Sequence, residues 1–166
     1  MDITVDIQIA SDGDDAPDPA LINAWVESVL QESDVIAQAE IDHRPIELSL
    51  RVVNNDESQT LNREYRGKDR PTNVLSFPSD ATVDLPFRHF GDLVICAPVV
   101  RNEAQEQEKT IQNHWAHMVV HGTLHLAGFD HIEADDAVVM ETIEKHILAK
   151  HGIDDPYRDS PQQQAV

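Results

Sequence analysis

Three histidines in the later part of the chain have the spacing of a metal site. His121 and His125 lie four residues apart in a stretch, residues 111–126, whose apolar pattern predicts a helix. This spacing puts both imidazoles on one helix face, about 5–6 Å apart at Cβ. Gly128 permits the chain to leave the helix and turn back, so that His131 can approach the same point. Three imidazole ligands leave one position of a tetrahedral zinc ion open to water, which is typical of catalytic sites. The sequence therefore predicts one Zn²⁺ per chain and a zinc-bound water that takes part in hydrolysis.

Two neighbouring residues have roles that the sequence leaves open. His117 lies one turn before His121 in the same predicted helix. As a fourth ligand it would close the site, so we expect it to support the ligands, to contact the substrate or to be exposed. Asp130, next to His131, could orient a ligand through its second ring nitrogen, act as the proton acceptor, or only form the turn.

The histidine spacing also indicates an alternative enzyme class. The three histidines and the glycine between them repeat the ligand pattern of metzincin proteases, HExxHxxGxxH. Where those proteases have the glutamate that acts as general base, this chain has Gly122, so the group that deprotonates water for peptide hydrolysis is missing. Zinc alone can lower the pKa of its bound water to about 7, which suffices when another group stabilises the charged transition state. A peptidase or amidase is therefore the weaker interpretation.

The basic residues of the chain are concentrated in one segment. Of its twelve Lys and Arg residues, four lie within residues 63–70, and Arg88 follows later. The four are Arg63, Arg66, Lys68 and Arg70. An arginine fork donates two parallel hydrogen bonds to a phosphate, and beside a catalytic metal such a run becomes a phosphate clamp. We therefore expect this run, including Lys68 and Arg70, to contact the phosphates of a substrate.

The length and composition fit one domain. A chain of 166 residues with 40 % hydrophobic content can bury its own core. We assign residues 1–155 to a single metal-dependent hydrolase domain and residues 156–166 to a disordered tail. Cys96 is the only cysteine, which excludes an intrachain disulfide and a multi-thiolate zinc site. No apolar run approaches the roughly 20 residues that cross a bilayer, and the first residues do not resemble a secretory signal, so we expect a cytoplasmic protein.

The net charge of −19 argues against tight binding of free RNA, because an acidic surface repels a polyanion. An RNA enzyme of this composition needs a local basic patch and specific docking onto a larger particle. The basic run at residues 63–70 provides such a patch.

Strand patterns come early in the chain and helix patterns come late. Alternating apolar residues predict strands at residues 3–9 and 46–52, and shorter strands are expected at 74–77 and 93–96, separated by a loop at 79–91. Helices are expected after Pro19, from Asn55 or Asp56 to Gly67, from Pro98 to about Glu108, over residues 111–126, and up to about Gly152. This order predicts an α+β domain in which a small mixed sheet of about four strands packs against helices. With the metal at the end of the helix over residues 111–126, we expect the domain to be of the zincin-like type.

Three segments carry a resemblance to a known family. They are residues 61–78 (LNREYRGKDRPTNVLSFP), 91–96 (GDLVIC) and 114–131 (HWAHMVVHGTLHLAGFDH). Together they resemble the YbeY family of bacterial endoribonucleases and rRNA maturation factors, and the matching blocks extend over residues 48–133.

The resemblance implies both an activity and partners. It implies zinc bound through His121, His125 and His131, and a contribution of Arg66 to activity. It further implies a single-strand-specific endoribonuclease that acts in 3′-end maturation of 16S rRNA and in late ribosome quality control. The implied partners are rRNA, the small ribosomal subunit, a ribosomal protein and a ribosome-associated GTPase, whereas neither DNA nor a membrane is expected. A noncatalytic assembly factor stabilised by zinc stays open as a second alternative.

Overall fold

The alternating segments of the first third of the chain form two neighbouring strands. The computed structural model describes residues 1–79 and 85–157. Strands β1 (Ile3–Ile9) and β2 (Ile46–Val53) pair in parallel. Every second side chain of β2, from Ile46 onward, is buried on one face of the sheet. This is the alternation expected of a strand with one face on the core.

Two further strands complete a mixed sheet. Strand β3 (Val74–Pro78) pairs antiparallel with β4 (Arg88–Cys96), and β4 also pairs in parallel with β2, which gives the order β1-β2-β4-β3. Strand β3 therefore lies at an edge, with one row of its backbone groups directed away from the sheet. The predicted α+β class, with a mixed sheet of four strands packed against helices, is confirmed.

The described residues form six helices around this sheet. They are α1 (Pro19–Leu30), α2 (Ser33–Gln38), α3 (Asn55–Arg66), α4 (Ala97–Glu106), α5 (Ile111–Leu126) and α6 (Ala134–Lys150). Helix α5 is central, because it contacts α1, α4, α6 and two strands, and most of its side chains are buried. Such a helix is fixed by its neighbours on nearly every side. None of these helices is both long and apolar enough to cross a membrane.

The structure departs from the sequence prediction around β4. This strand begins at Arg88 rather than at residue 93, because Arg88 already pairs with Ile46 of β2. The loop predicted for residues 79–91 is correspondingly shorter, and its residues 80–84 lie outside the described part of the chain. The short helix α2 lies in a segment for which the sequence pattern made no prediction.

The last described residues pack against the domain. Pro156 is buried, and its carbonyl accepts a hydrogen bond from Nζ of Lys109 at 3.0 Å. The hydroxyl of Tyr157 donates a hydrogen bond to Glu144. The sequence analysis assigned both residues to the tail that begins at residue 156, whereas the structure places them in contact with Lys109 and Glu144. The remainder of the predicted tail, residues 158–166, lies outside the described residues.

Candidate metal centre

Helix α5 positions two of the three predicted ligands. The helix begins after Thr110, whose side-chain oxygen accepts a hydrogen bond from the backbone N–H of Asn113, a common N-cap. Packing against its neighbours then fixes which side of the helix faces outward. His121 and His125 lie one turn apart with ring centroids 4.6 Å apart, and both are only half-buried. The predicted helix and its bounds are confirmed.

A glycine turn brings the third histidine to the same place. Gly128 adopts φ +101°, a conformation that residues with a side chain rarely adopt. Its N–H, and that of the next residue, bond back to carbonyls in the last turn of α5 and so close the helix end. The ring centroid of His131 lies 5.4 Å from that of His121 and 5.2 Å from that of His125. The structure thus brings together the three histidines that the sequence analysis singled out.

The ligand atoms of these histidines converge. One ring nitrogen from each residue lies within 4.8 Å of the other two, and the Nε2 atoms of His121 and His125 are 3.1 Å apart. Two nitrogens bound to one tetrahedral zinc lie about 3.3–3.4 Å apart, given bond lengths of about 2.0–2.1 Å. The pair therefore needs little movement to share an ion. His131 is exposed, so an ion at this position would be accessible to water.

A buried carboxylate that the sequence analysis missed supports the site from behind. Glu144 of α6 is fully buried, and its Oε1 lies 2.5 Å from Nδ1 of His121. Its Oε2 accepts hydrogen bonds from Nε2 of His117, at 3.1 Å, and from the hydroxyl of Tyr157. Because Nδ1 of His121 donates its proton to Glu144, the free lone pair of this ring is on Nε2, which faces His125. Carboxylates commonly orient metal-binding histidines in this way.

One sequence signal could have identified Glu144. The buried face of α6 consists of Met140, Ile143, Glu144, Ile147 and Leu148. A glutamate in an otherwise apolar face is unusual, because charged residues are seldom fully buried unless they are paired. No comparable pattern surrounds Tyr157, which comes after the end of the last helix.

A second group of potential ligands shares His121 with the first. His117, His121 and Glu144 also offer atoms within 4.8 Å of one another. However, the 2.5 Å between Nδ1 of His121 and the carboxylate is a hydrogen-bond distance, too short for two ligands of one zinc. His117 and Glu144 are also buried away from solvent. The group formed by His121, His125 and His131 is therefore the better candidate for the metal site. His117 instead contacts Glu144, the carboxylate that is bonded to His121.

Burial determines the protonation of these groups. Desolvation, followed by the nearby His121 and His131, lowers the pKa of His125 to about 4. Desolvation also lowers the pKa of His117, against the opposing effect of Glu144. Burial by itself would raise the pKa of Glu144, yet hydrogen bonds from His117 and His121 hold it below its ordinary value. Zinc binds the neutral form of imidazole, and carboxylates commonly orient histidine ligands, so the low pKa of His125 and the contact of Glu144 with His121 fit the ion.

Arg66 and helix α5 both contact the edge strand β3. It ends α3, its Nη2 donates to the carbonyl of Ser76 at 2.8 Å, and its guanidinium lies over the ring of Phe77, 5.4 Å from the centroid. The hydroxyl of Ser76 donates in turn to the carbonyl of Gly122 at 3.0 Å, and Gly122 follows His121 in α5. One edge strand therefore connects the predicted phosphate clamp with the histidine cluster.

The other basic residues of the run are exposed. Lys68 and Arg70 lie in the loop between α3 and β3, and the side-chain amide of Asn62 holds this loop through the carbonyl of Arg70 at 2.8 Å. Arg63 forms an ion pair with Asp69 at 3.5 Å. Within residues 1–79 and 85–157, no carboxylate forms an ion pair with Arg66, Lys68 or Arg70. Their positive charges are available to an anionic partner.

Arg88, the fifth cation of the sequence analysis, has a different environment. Its Nη1 donates to the carbonyl of Ala39 at 2.7 Å, and its guanidinium lies over the ring of Phe90. These contacts join the start of β4 to the segment after α2. Arg88 therefore has a structural role in the fold.

Asp130 forms the turn between the second and third histidines. Its side chain accepts a hydrogen bond from the backbone N–H of Ile132 at 3.3 Å. Of the three roles that the sequence left open, this contact supports turn formation. It holds the backbone on either side of His131.

Gly122 is required by the packing of α5 against the sheet. A Cβ at this position would lie 2.8 Å from Cδ2 of Leu93 and 3.0 Å from Cγ2 of Val74, closer than van der Waals contact allows. A side chain here would thus be directed at the sheet. The position at which metzincin proteases have their general base cannot supply one in this fold.

Comparison with known proteins identifies the family. The sequence model of the family described as endoribonuclease YbeY matches residues 8–152. The chain is 48 % identical over 160 residues to the endoribonuclease YbeY of Idiomarina loihiensis, a match that covers 95 % of this chain and 93 % of that protein. It is 49 % identical over 166 residues to the endoribonuclease YbeY of Alcanivorax borkumensis, covering 97 % and 89 % respectively.

A solved structure shows the same fold at lower sequence similarity. The solution structure of TM1509 from Thermotoga maritima matches with a TM-score of 0.52 and 24 % identity, covering 93 % of this chain and 97 % of that one. The resemblance carried by the three sequence segments is confirmed, and the chain belongs to the YbeY family.

Proposed function

We propose that the protein is a zinc-dependent endoribonuclease that cleaves single-stranded RNA. The observation that carries this proposal is the convergence of His121, His125 and His131 at the outer end of α5, with Glu144 behind His121. The two similar proteins are both named endoribonuclease YbeY, which supports a phosphodiester as the bond that is hydrolysed.

One zinc ion per chain would be held by His121, His125 and His131. When bound, zinc supplies Lewis acidity, which polarises a phosphoryl oxygen and acidifies a water molecule. The chain's own contribution is to present neutral nitrogens in a fixed orientation. Glu144 accepts the proton on Nδ1 of His121, and the low pKa of His125 keeps its ring neutral at physiological pH.

Arg66 is proposed to bind the phosphate and to stabilise its negative charge. Two of its N–H groups donate to the carbonyls of Tyr65 and Ser76, at 3.2 and 2.8 Å, which fixes the guanidinium and leaves further donors for phosphate oxygens. Such a preorganised contact is typically worth about 10²–10³ in rate. Lys68 and Arg70 would attract the RNA backbone, as their exposed charges suit long-range steering.

The proposed substrate is 16S rRNA within the small ribosomal subunit, in 3′-end maturation and late quality control in the cytoplasm. The charge supports a particle rather than free RNA, because a chain of net charge −19 has an acidic surface that repels a free polyanion, while Arg66, Lys68 and Arg70 have no ion-pair partner among the described residues. That acidic surface suits basic ribosomal proteins. A ribosomal protein and a ribosome-associated GTPase are proposed as partners on the family resemblance.

Digestion of ribosomal subunits and of matched free RNA, followed by mapping of the new ends, tests the proposed function. Zinc-loaded protein should cut single-stranded segments, and should cut the subunit more efficiently than the free strand. Metal-stripped protein that stays folded should not cut. A noncatalytic assembly factor would be favoured if the zinc-loaded protein did not cleave RNA and if removal of the metal unfolded the protein. Cleavage of peptides would instead favour the peptidase or amidase.

A further inference from the structure

We propose that Tyr65 is a binding site for one nucleobase of a single-stranded RNA, next to the phosphate contacted by Arg66. This inference rests on the proposed function and extends it, because it names a group that recognises the unpaired strand. The site, which we call the platform, consists of the rings of Tyr65 and Phe77 and the guanidinium of Arg66.

The first observation is the exposure of the tyrosine ring. Tyr65 is 60 % exposed at the end of α3, and among the large hydrophobic residues that are exposed in the described chain it alone is aromatic. Its ring meets the ring of Phe77 edge to face, with centroids 5.2 Å apart and planes inclined by 72°. This contact orients the tyrosine while leaving ring surface free. An oriented, solvent-facing aromatic ring is suited to stacking on another planar group.

The second observation is the set of cations that follow Tyr65 in the chain. The guanidinium of Arg66 covers Phe77, 5.4 Å from its centroid, and bonds to the carbonyl of Tyr65. Lys68 and Arg70 follow in the next loop without an ionic partner in the described chain. Sites for single-stranded nucleic acids combine these two features, since cations bind the backbone while aromatic rings stack on bases of any sequence.

The third observation is the position of the platform relative to the histidines. Arg66 is bonded to Ser76 on the edge strand β3, and Ser76 is bonded to Gly122, the neighbour of His121. The Tyr65 ring and the Arg66 guanidinium both contact the ring of Phe77, at 5.2 and 5.4 Å. An RNA strand whose phosphate contacts Arg66 can therefore place a nucleoside beside Tyr65. In duplex RNA both faces of each base are covered by neighbouring bases, so only an unpaired nucleotide can place its base on the ring. Stacking on Tyr65 thus gives a physical reason for a preference for single strands.

The test measures binding of a short, fluorescently labelled single-stranded RNA of mixed sequence to the zinc-loaded, full-length protein at fixed salt. Tyr65→Ala is expected to weaken binding by about 5- to 150-fold, the range for loss of one base–aromatic stack. Tyr65→Phe should bind like wild type. Tyr65→Leu, which keeps apolar contact with Phe77 but has no aromatic face, should weaken binding as alanine does. Ile9→Ala is the matched control, an exposed apolar residue on β1 at the opposite edge of the sheet.

A second arm identifies the base. Abasic nucleotides are introduced one at a time along the RNA; wild type should lose affinity at one position, and Tyr65→Ala should show no further loss there. The stacking site would be overturned if Tyr65→Leu bound RNA as tightly as wild type, or if Tyr65→Ala and wild type showed the same abasic profile. The proposed function would remain intact in that case if wild type still cleaved RNA. Zinc-loaded wild type that neither binds nor cleaves RNA would overturn both.

Discussion

Replacement of Glu144 by glutamine should weaken zinc binding, although the new side chain has nearly the same shape. The carboxylate accepts hydrogen bonds from His117, His121 and Tyr157. The amide of glutamine has one oxygen, which accepts, and one N–H₂ group, which donates. Whichever way the amide is oriented, its N–H₂ group therefore faces the donor of at least one of these three residues. The partner of Nδ1 in His121 also changes from a charged to a neutral group.

The expected magnitude follows from these contacts. Removal of the outer partner of a metal-binding histidine typically costs about 10–100-fold in metal affinity, or about 1.4–2.8 kcal/mol. Each hydrogen bond to a charged group contributes about 1.5–3 kcal/mol to folding, and Glu144 is fully buried, so the free energy of unfolding should fall as well. A purely structural role would lower stability alone.

Competition with a chelator of known zinc affinity, together with urea unfolding, separates these effects. Glu103→Gln is the matched control, because Glu103 also pairs with a buried histidine of α5, His114, at 2.9 Å, but contacts none of the predicted ligands. Glu103→Gln should lower stability and leave zinc affinity unchanged. Equal zinc affinity in Glu144→Gln and wild type, or an equal loss in Glu103→Gln, would refute the role assigned to Glu144.

Three further predictions concern charge, packing and pH. Arg66→Lys should retain zinc and thermal midpoint but lose about 10²–10³ in RNA cleavage, and Arg66→Ala should lose more, because lysine cannot make the two-pronged contact; full cleavage by Arg66→Ala would remove it from the site. Gly122→Ala should lower the free energy of unfolding by about 1–3 kcal/mol, since its Cβ would meet Leu93 at 2.8 Å; unchanged urea unfolding would contradict this packing. Metal-free protein should lose stability as pH falls from 6.5 towards 4, because His125, with its pKa lowered from 6.5 to about 4, stays neutral in the folded state while the unfolded chain takes up a proton. His125→Gln should reduce this slope in urea unfolding across that range, and an identical slope would show that another group is responsible.

The parts of the fold and site that the sequence predicted depend on local patterns. The alternation in β1 and β2 fixes which side chains face the core. His121 and His125 lie four residues apart in one helix, and the left-handed turn at Gly128 follows directly. Because only this helix and its turn are involved, the convergence of the three histidines could be predicted from their positions in the sequence.

The parts that the sequence did not predict depend on contacts between distant segments. Glu144 meets His121 only because α6 packs against α5, and Tyr157 reaches the same carboxylate from beyond the end of α6. The early start of β4 likewise requires its parallel partner β2. Gly122 was identified as a missing base, but the reason for a glycine, the close approach of α5 to the sheet, exists only in the folded structure.

The central claim, that three histidines hold one zinc ion that is needed to cleave RNA, is tested most directly by measuring zinc content and single-strand cleavage together. Purified wild type and His125→Ala are compared by elemental analysis and by digestion of the same RNA. We predict one zinc per wild-type chain, with both the metal and the cleavage lost in His125→Ala. A stoichiometry near two, undiminished zinc in His125→Ala, or RNA cleavage by the metal-free protein would contradict the account.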